Sequence, residues 1–340
     1  MRAAVPIGTD NDFDIRDFTQ ELRLRSDFDG PLNFSAGGFY QDGQQRNHIR
    51  LRGNLALGLA RSLGDAVHTI DIKAYSLFGQ VRWDILPTLE LAGGLRWTDE
   101  ERIHKETNLA PTFGPVGPVS LLDPRLKSSN VSPEVTLTYT PNDDLTLFAS
   151  YRQGFKSGSF NTLIYISPTT RASFNDEQVK GGEFGVKARA FDRAVTVNLA
   201  GYYYHYTNLQ VGANELTGGN VIATRTINAA SANVSGVDFD MTYAPPQVEG
   251  LRLRAAVNYN HARYDKFTNA PCGNGQTISQ GCNQLLNAAT GRFTSQDLSG
   301  RRLVRAPDWT GNIGLDYELP VGRDMKVLFG AAANYSSNYT

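Results

Sequence analysis

The stretch Ser129–Asn161, SNVSPEVTLTYTPNDDLTLFASYRQGFKSGSFN, reads as one long β-hairpin. Val131, Pro133, Val135, Leu137 and Tyr139 fall on one side of an extended strand, and Ser132, Glu134, Thr136 and Thr138 on the other, because strand side chains alternate. Pro141-Asn142-Asp143-Asp144 carries turn chemistry: proline presets φ, and Asn and Asp bond back to their own backbone. On the return arm Leu145, Leu147, Ala149 and Tyr151 continue the apolar face, while Thr146, Phe148, Ser150 and Arg152 take the other. Each arm is about ten residues, the length a tilted strand needs to cross a bilayer and longer than the ~5–6 usual in soluble sheets.

The same unit recurs along the chain. Alternation predicts strands over 20–25 and 32–42, 74–85 and 89–98, 178–190 and 195–206, 233–243 and 251–261, and 308–319 and 325–335. Short turns join some of them, and long polar connections run over 43–73, 99–129, 155–176, 207–226 and 262–306. The expected fold is all-β: a transmembrane antiparallel up-and-down β-barrel with about twelve strands present, short periplasmic turns and long extracellular loops. Aromatics on the apolar face form two rows. Tyr40, Trp97, Tyr151, Tyr203, Tyr259, Trp309 and Tyr335 lie toward the loops, and Trp83, Tyr139, Tyr243 and Tyr317 toward the turns, as membrane-interface girdles require. The opposite face carries Arg23, Gln80, Arg96, Glu134, Arg152, Glu183, Asp238, Arg254 and Asp316, so it meets water or a plug rather than a greasy core. Twelve strands in an open sheet would leave unpaired edges in lipid. The chain therefore reads as an internal part of a larger barrel, of about 22 strands if the lumen is plugged.

Composition excludes other classes. The 340 residues include 40% hydrophobic side chains, with no run of about 18–20 apolar residues, so a helical membrane protein is excluded. A net charge of −1 leaves no electrostatic footprint for nucleic acid. Residues 1–8, MRAAVPIG, lack the apolar core of a signal peptide. Cys272 and Cys282 sit in one polar Gly/Asn/Gln segment, without CxxC spacing, and read as a loop disulfide formed in an oxidising compartment.

The segment Tyr151-Arg152-Gln153-Gly154-Phe155-Lys156-Ser157-Gly158-Ser159-Phe160-Asn161 resembles the strand-to-loop segment Y-x-x-G-F-K-S-G-x-F-N of TonB-dependent outer-membrane receptors. Four further segments resemble the same family in the same order: Gln20–Leu24, Gly94–Thr98, Asn228-Ala229-Ala230 with Ser235–Asp238, and Ala306–Thr310. The resemblance implies that residues 1–340 are a β-barrel domain whose plug domain and last strands lie outside the chain. It also implies a location in the bacterial outer membrane, among lipid and lipopolysaccharide, with no enzymatic activity and no cofactor. The implied function is active uptake of a large scarce solute such as a ferric siderophore, energised by the TonB complex through the plug. A passive porin and a soluble β-sheet binding module are the alternatives.

Candidate solute contacts are Arg152, Gln153, Lys156 and Asn161, where the strand enters the loop, with Tyr202 and Tyr204 on the neighbouring pair; arginine's planar fork and lysine's point charge suit an anionic solute. Lumen arginines also pair with carboxylates such as Glu134 and Glu183 merely to satisfy the wall. Asp10, Asp12 and Asp14 imitate EF-hand spacing, but Ile15 stands where that loop needs glycine, so a solvated acidic loop is expected. His48, His68, His104, His205 and His261 lack any paired ligand spacing and read as loop and interface residues. Arg301, Arg302 and Arg305 are a basic patch at the loop side, facing solvent or lipid phosphate.

Overall fold

The computed structural model describes residues 7–339 except 56, 57, 59, 60, 113, 164, 165, 167–170, 218–220, 229, 230, 274, 289, 290, 323 and 324. The first six residues, Ala229-Ala230 and the turn residues Arg323-Asp324 thus lie outside the described residues.

Twelve strands follow one another in sheet order exactly as in the chain's own order, each antiparallel to the next. We number them β1 (Ile7–Arg25), β2 (Leu32–Gly53), β3 (Gly64–Leu86), β4 (Leu89–Asn108), β5 (Arg125–Asn142) and β6 (Leu145–Lys156). The series continues with β7 (Glu177–Ala190), β8 (Val195–Thr207), β9 (Ser231–Tyr243), β10 (Leu251–Lys266), β11 (Trp309–Pro320) and β12 (Lys326–Ser336). A short strand, Gly117–Val119, pairs with the outer end of β4. β1 and β12 are the two edges of the sheet.

Register confirms the alternation. In the β5–β6 hairpin Val135 faces Tyr151, Leu137 faces Ala149 and Thr136 faces Ser150, so like meets like on each side. The reversal is held by an Asx bond from Asp144 N–H to Asn142 Oδ1 at 3.0 Å, and Arg193 of the next turn donates to Asp144 Oδ1 at 2.8 Å. The outer face displays Leu22, Leu77, Leu95, Leu137 and Phe184, all exposed, as lipid-facing residues are in a protein without its lipid. Girdle aromatics meet across strands: Tyr40 lies 5.2 Å from Tyr75 and Tyr259 4.8 Å from Trp309, ring centre to ring centre. Inner-face charges largely neutralise one another, as in Arg82–Glu90 at 3.6 Å and Lys326–Glu318 at 3.0 Å. Phe78 sits on the inner face between the guanidiniums of Arg23 and Arg96, each 5.4 Å from its ring centre.

The strands at the loop side are longer than alternation predicts. β1 to β4 have 19, 22, 23 and 20 residues, so most of the connections expected over 43–73 and 99–129 are ladder. Asp10, Asp12 and Asp14, expected in a loop, belong to β1 and look outward, where Asp12 pairs with Arg50 and Asp10 with Arg52 at 2.5 Å. Above the girdle both faces meet water or protein, so polar residues occupy both parities and the period-two signal fades while the backbone ladder continues. The connection over 207–226 likewise holds a hairpin, Gln210–Thr217 with Val221–Asn228.

Candidate functional site

The loop-side mouth of the sheet is organised by the segment that ends β6. Ser157, Gly158, Phe160 and Asn161 fasten it to other parts of the chain. Ser157 donates to Glu100 Oε2 of β4 at 3.1 Å, and Gly158 N–H donates to Asp176 Oδ1 at 2.8 Å. Asp176 is itself fixed by Ser128 and by Asn130 of β5, the latter at 2.6 Å. Gly158 admits no side chain, since a Cβ there would lie 2.2 Å from Phe174 O. Phe160 enters a small core with Ile70, Ile72, Ile166 and Ala172. Asn161 donates to Ala172 O at 3.2 Å and Thr226 O at 3.0 Å, and accepts from Thr226 N–H at 2.7 Å. The described part of loop 157–176 is therefore folded against the inner wall of β3, β4 and β5 and tied to the hairpin 210–228.

This placement divides the predicted contact set. Asn161 is buried and bonded within the loop, which removes it from the exposed mouth. Gln153 shares the parity of Tyr151 and lies opposite Lys180, on the outer face, because alternation places it one residue out of step with Arg152. Arg152, Lys156, Tyr202 and Tyr204 remain on the inner face. Arg152 lies 3.3 Å from Glu183, with half its side chain exposed. Gly181 sits between Arg152 and Tyr204 in register, so no side chain separates them. Tyr202 donates to Asn260 Oδ1 at 3.2 Å and accepts from Asn258 at 3.2 Å, and Asn258 also holds Asp238 at 2.6 Å. The inner rim thus carries Arg152 paired with Glu183, Lys156, two phenols and a belt of amides that includes the partner of Asp238.

Two other features were not visible from spacing. His68 and His104 lie on β3 and β4 extensions, not in loops, and antiparallel register brings them side by side: Ile70 faces His104, and His68 faces Glu106. Their ring nitrogens meet at 3.1 Å beneath loop 157–176, fully enclosed. Only the pairing of strand extensions reveals this cluster, and those extensions lack the alternation that marks the membrane segments. On the far side of the mouth, Cys272 and Cys282 are bonded, with Cα atoms 5.6 Å apart. Tyr264, Phe267 and Ala270 form a second small core there, covered by Val211 and Ile227 of the hairpin 210–228. Asp308 receives Arg263 at 3.1 Å and also pairs with Arg302, which accounts for one arginine of the basic patch. Among the described residues no set of three His, Cys, Asp or Glu side chains is arranged to hold a metal ion.

The sequence matches the family described as TonB dependent receptor-like, beta-barrel over residues 3–340. The chain belongs to that family. Solved receptors share its fold. The ferric yersiniabactin uptake receptor FyuA of Yersinia pestis superposes with a TM-score of 0.70 at 14% identity, covering 98% of this chain and 44% of its own. The siderophore receptor PiuA of Acinetobacter baumannii gives 0.64 at 16% identity, covering 96% and 46%. The alcaligin receptor FauA of Bordetella pertussis gives 0.56 at 18% identity, covering 97% and 47%. The chain therefore spans less than half the length of the receptors it matches.

As a TonB-dependent receptor barrel it is an outer-membrane wall and not an enzyme. The Tyr151–Asn161 segment, which carries the family resemblance, acts here as the staple joining β6 to the mouth. In this receptor chain the Ala306–Thr310 segment likewise centres on Asp308, the acceptor that gathers two arginines.

Proposed function

We propose that the chain is part of the wall of an active importer that takes up a large, scarce, anionic solute such as a ferric siderophore, energised by the TonB complex through a plug lying outside this chain. Strands flanking β1 and β12 complete the barrel, since unpaired edges are not tolerated in lipid. The observation that carries the reading is the inner face of a family barrel presenting Arg152 level with Tyr204, with Tyr202 nearer the membrane and Lys156 four residues further toward the loop. Neighbours named as ferric yersiniabactin and siderophore receptors support the solute class. Solute capture rests on charge-assisted hydrogen bonds from the Arg152 fork and the Lys156 ammonium, with the phenols as stacking or hydrogen-bonding surface. Outside the wall, the paired charges on the extensions of β1 to β5, such as Lys105–Asp71 at 2.7 Å and Arg125–Glu101 at 2.9 Å, stand at the level of lipopolysaccharide headgroups.

The test is uptake of candidate ferric siderophores by the intact protein in cells with and without a working TonB complex. Energy-dependent uptake is expected, and uptake indifferent to TonB selects a passive pore instead. In a binding titration, Arg152→Ala and Lys156→Ala should each weaken the transported solute, with the loss shrinking as salt rises. Unchanged affinity with a weakened barrel would make them wall residues only.

A further inference from the structure

We propose that His68, His104 and Glu106 form a proton-operated latch: with the imidazoles uncharged, they hold Leu163 and Ile166 of the described part of loop 157–176 against the inner wall of the mouth, and charging of the imidazole pair releases them. The cluster stands outside the membrane. His68 is seven residues beyond Tyr75 on β3, and His104 seven beyond Trp97 on β4, roughly 23 Å along the strand from the girdle at ~3.3 Å per residue.

The hydrogen bonds dictate the protonation state. A carbonyl only accepts, so His68 Nε2 carries the hydrogen that meets Leu163 O at 2.5 Å. Its Nδ1 is then an acceptor, and His104 Nε2–H donates to it at 3.1 Å. Glu106 Oε1 accepts from Ile166 N–H at 3.1 Å. Two separate points of the loop, Leu163 and Ile166, are thus held by neutral imidazole and by the carboxyl group. A proton added to His68 Nδ1 removes the acceptor that His104 needs and sets two N–H groups against each other. A proton added to His104 Nδ1, which has no partner, leaves a buried donor beside Phe160, whose ring centre is 5.0 Å away. Burial disfavours charge on all three groups, lowering His68 to about 4 and His104 to about 3 and raising Glu106 to about 7.

Among the described residues the surroundings supply no compensating charge beyond Glu106, whose Oε2 is 4.0 Å from His68 Nδ1. From β2 the cluster's side of the mouth receives Gln45 and Asn47, and from β1 Phe13, around a cavity of about 190 Å³ that Ser159, Phe160 and Thr162 close. Nearer the membrane on β4, Glu100 and Arg102 pair at 2.5 Å. From the loop, Asp176 is taken up by Ser128, Asn130 and Gly158. Arg171 pairs with Asp123 at 2.5 Å, and Arg225 of the hairpin donates to Arg171 O at 3.2 Å.

The sign follows from proton counting. With the loop docked the imidazoles bind protons less readily than free ones, so their contribution is complete above pH 6.5 and is lost as pH falls toward 4. Glu106 opposes them: docking raises its affinity for a proton, so its penalty, complete above about pH 7, is relieved as pH falls toward 4.5. Two groups against one leave a net release in acid. The docking equilibrium should be nearly flat from pH 8 to 7 and fall roughly tenfold per pH unit between about 6 and 4.5.

Hydrogen exchange of residues 157–176 in the full-length receptor in detergent micelles, corrected for intrinsic rates and referenced to β7 and β8, reads this directly. His68→Gln with His104→Gln leaves Glu106 alone, so its loop should gain protection as pH falls, the reverse of the parent. Where that variant leaves the loop unprotected at every pH, His104→Gln alone decides, since glutamine still supplies an N–H to His68; its slope should fall to near zero. Parent protection that is indifferent to pH, or a variant profile equal to the parent's, overturns the latch.

Discussion

Tyr202 and Gly236 face each other across β8 and β9, and the phenol, with the Tyr259 carbonyl, fills the space where a side chain at 236 would begin: the phenol oxygen is 2.4 Å and the carbonyl oxygen 2.1 Å from an ideal Cβ position. The ring can therefore lie flat on the inner wall and reach Asn258 and Asn260 on β10, two strands away. Gly236→Val should push the ring into the lumen and cost about 1–3 kcal/mol in unfolding experiments from micelles, as overpacking does. Adding Tyr202→Ala should return part of that loss, and a purely additive double variant would show that the two positions do not share this space.

The outer and inner faces of β5 should differ sharply in tolerance. Leu137, flanked by Leu91 and Ala149 across the strands, looks into lipid, and its neighbour Thr136 looks inward. Leu137→Arg should cost about 2–4 kcal/mol in the reconstituted receptor and Thr136→Arg much less. Equal costs would undo the face assignment.

Two guanidiniums, those of Arg263 and Arg302, depend on Asp308. Asp308→Asn should cost about 2 kcal/mol, because bonds to charged groups are the stronger kind and Arg263 is only one-fifth exposed. The damage should appear as faster exchange over the start of β11 and residues 301–305, where Arg302 is held, rather than as unfolding of the barrel.

Replacing both Cys272 and Cys282 with serine should weaken their segment by about 2–3 kcal/mol, the loop-closure entropy of a ten-residue ring. Exchange within 267–300 should rise while β5 to β8 stay protected. A general loss of barrel stability would show that the bond does more than clip a loop.

The membrane-spanning part was legible because lipid outside and water inside impose a strict period of two, which sorts Leu137 from Thr136 and Tyr151 from Arg152 without any structure. The same rule places Gln153 outside, so its removal from the mouth follows from counting alone. The extensions of β1 to β4 were not legible, because Asp10, Asp12, Arg50 and Arg52 give alternation nothing to act on once neither face meets lipid. Their length follows instead from cross-strand pairing, which no local pattern encodes. The role of Asn161 was hidden for a related reason: its partners, Ala172 and Thr226, are 11 and 65 residues away. His68 and His104 are 36 residues apart, and only a register linking β3 to β4 makes them neighbours.

The unequal strand lengths give the mouth two sides of different mechanical character. On the side of β1 to β4 the rim is a continuous backbone lattice of 19 to 23 residues per strand, stiffened by crossed charges. Beside β11 and β12, with 12 and 11 residues, it is roofed by an irregular segment whose integrity rests on one covalent clip and the Asp308 clamp. Reductants should therefore soften one bank of the opening and leave the other standing, and high salt should touch mainly the outer surface of the tall bank.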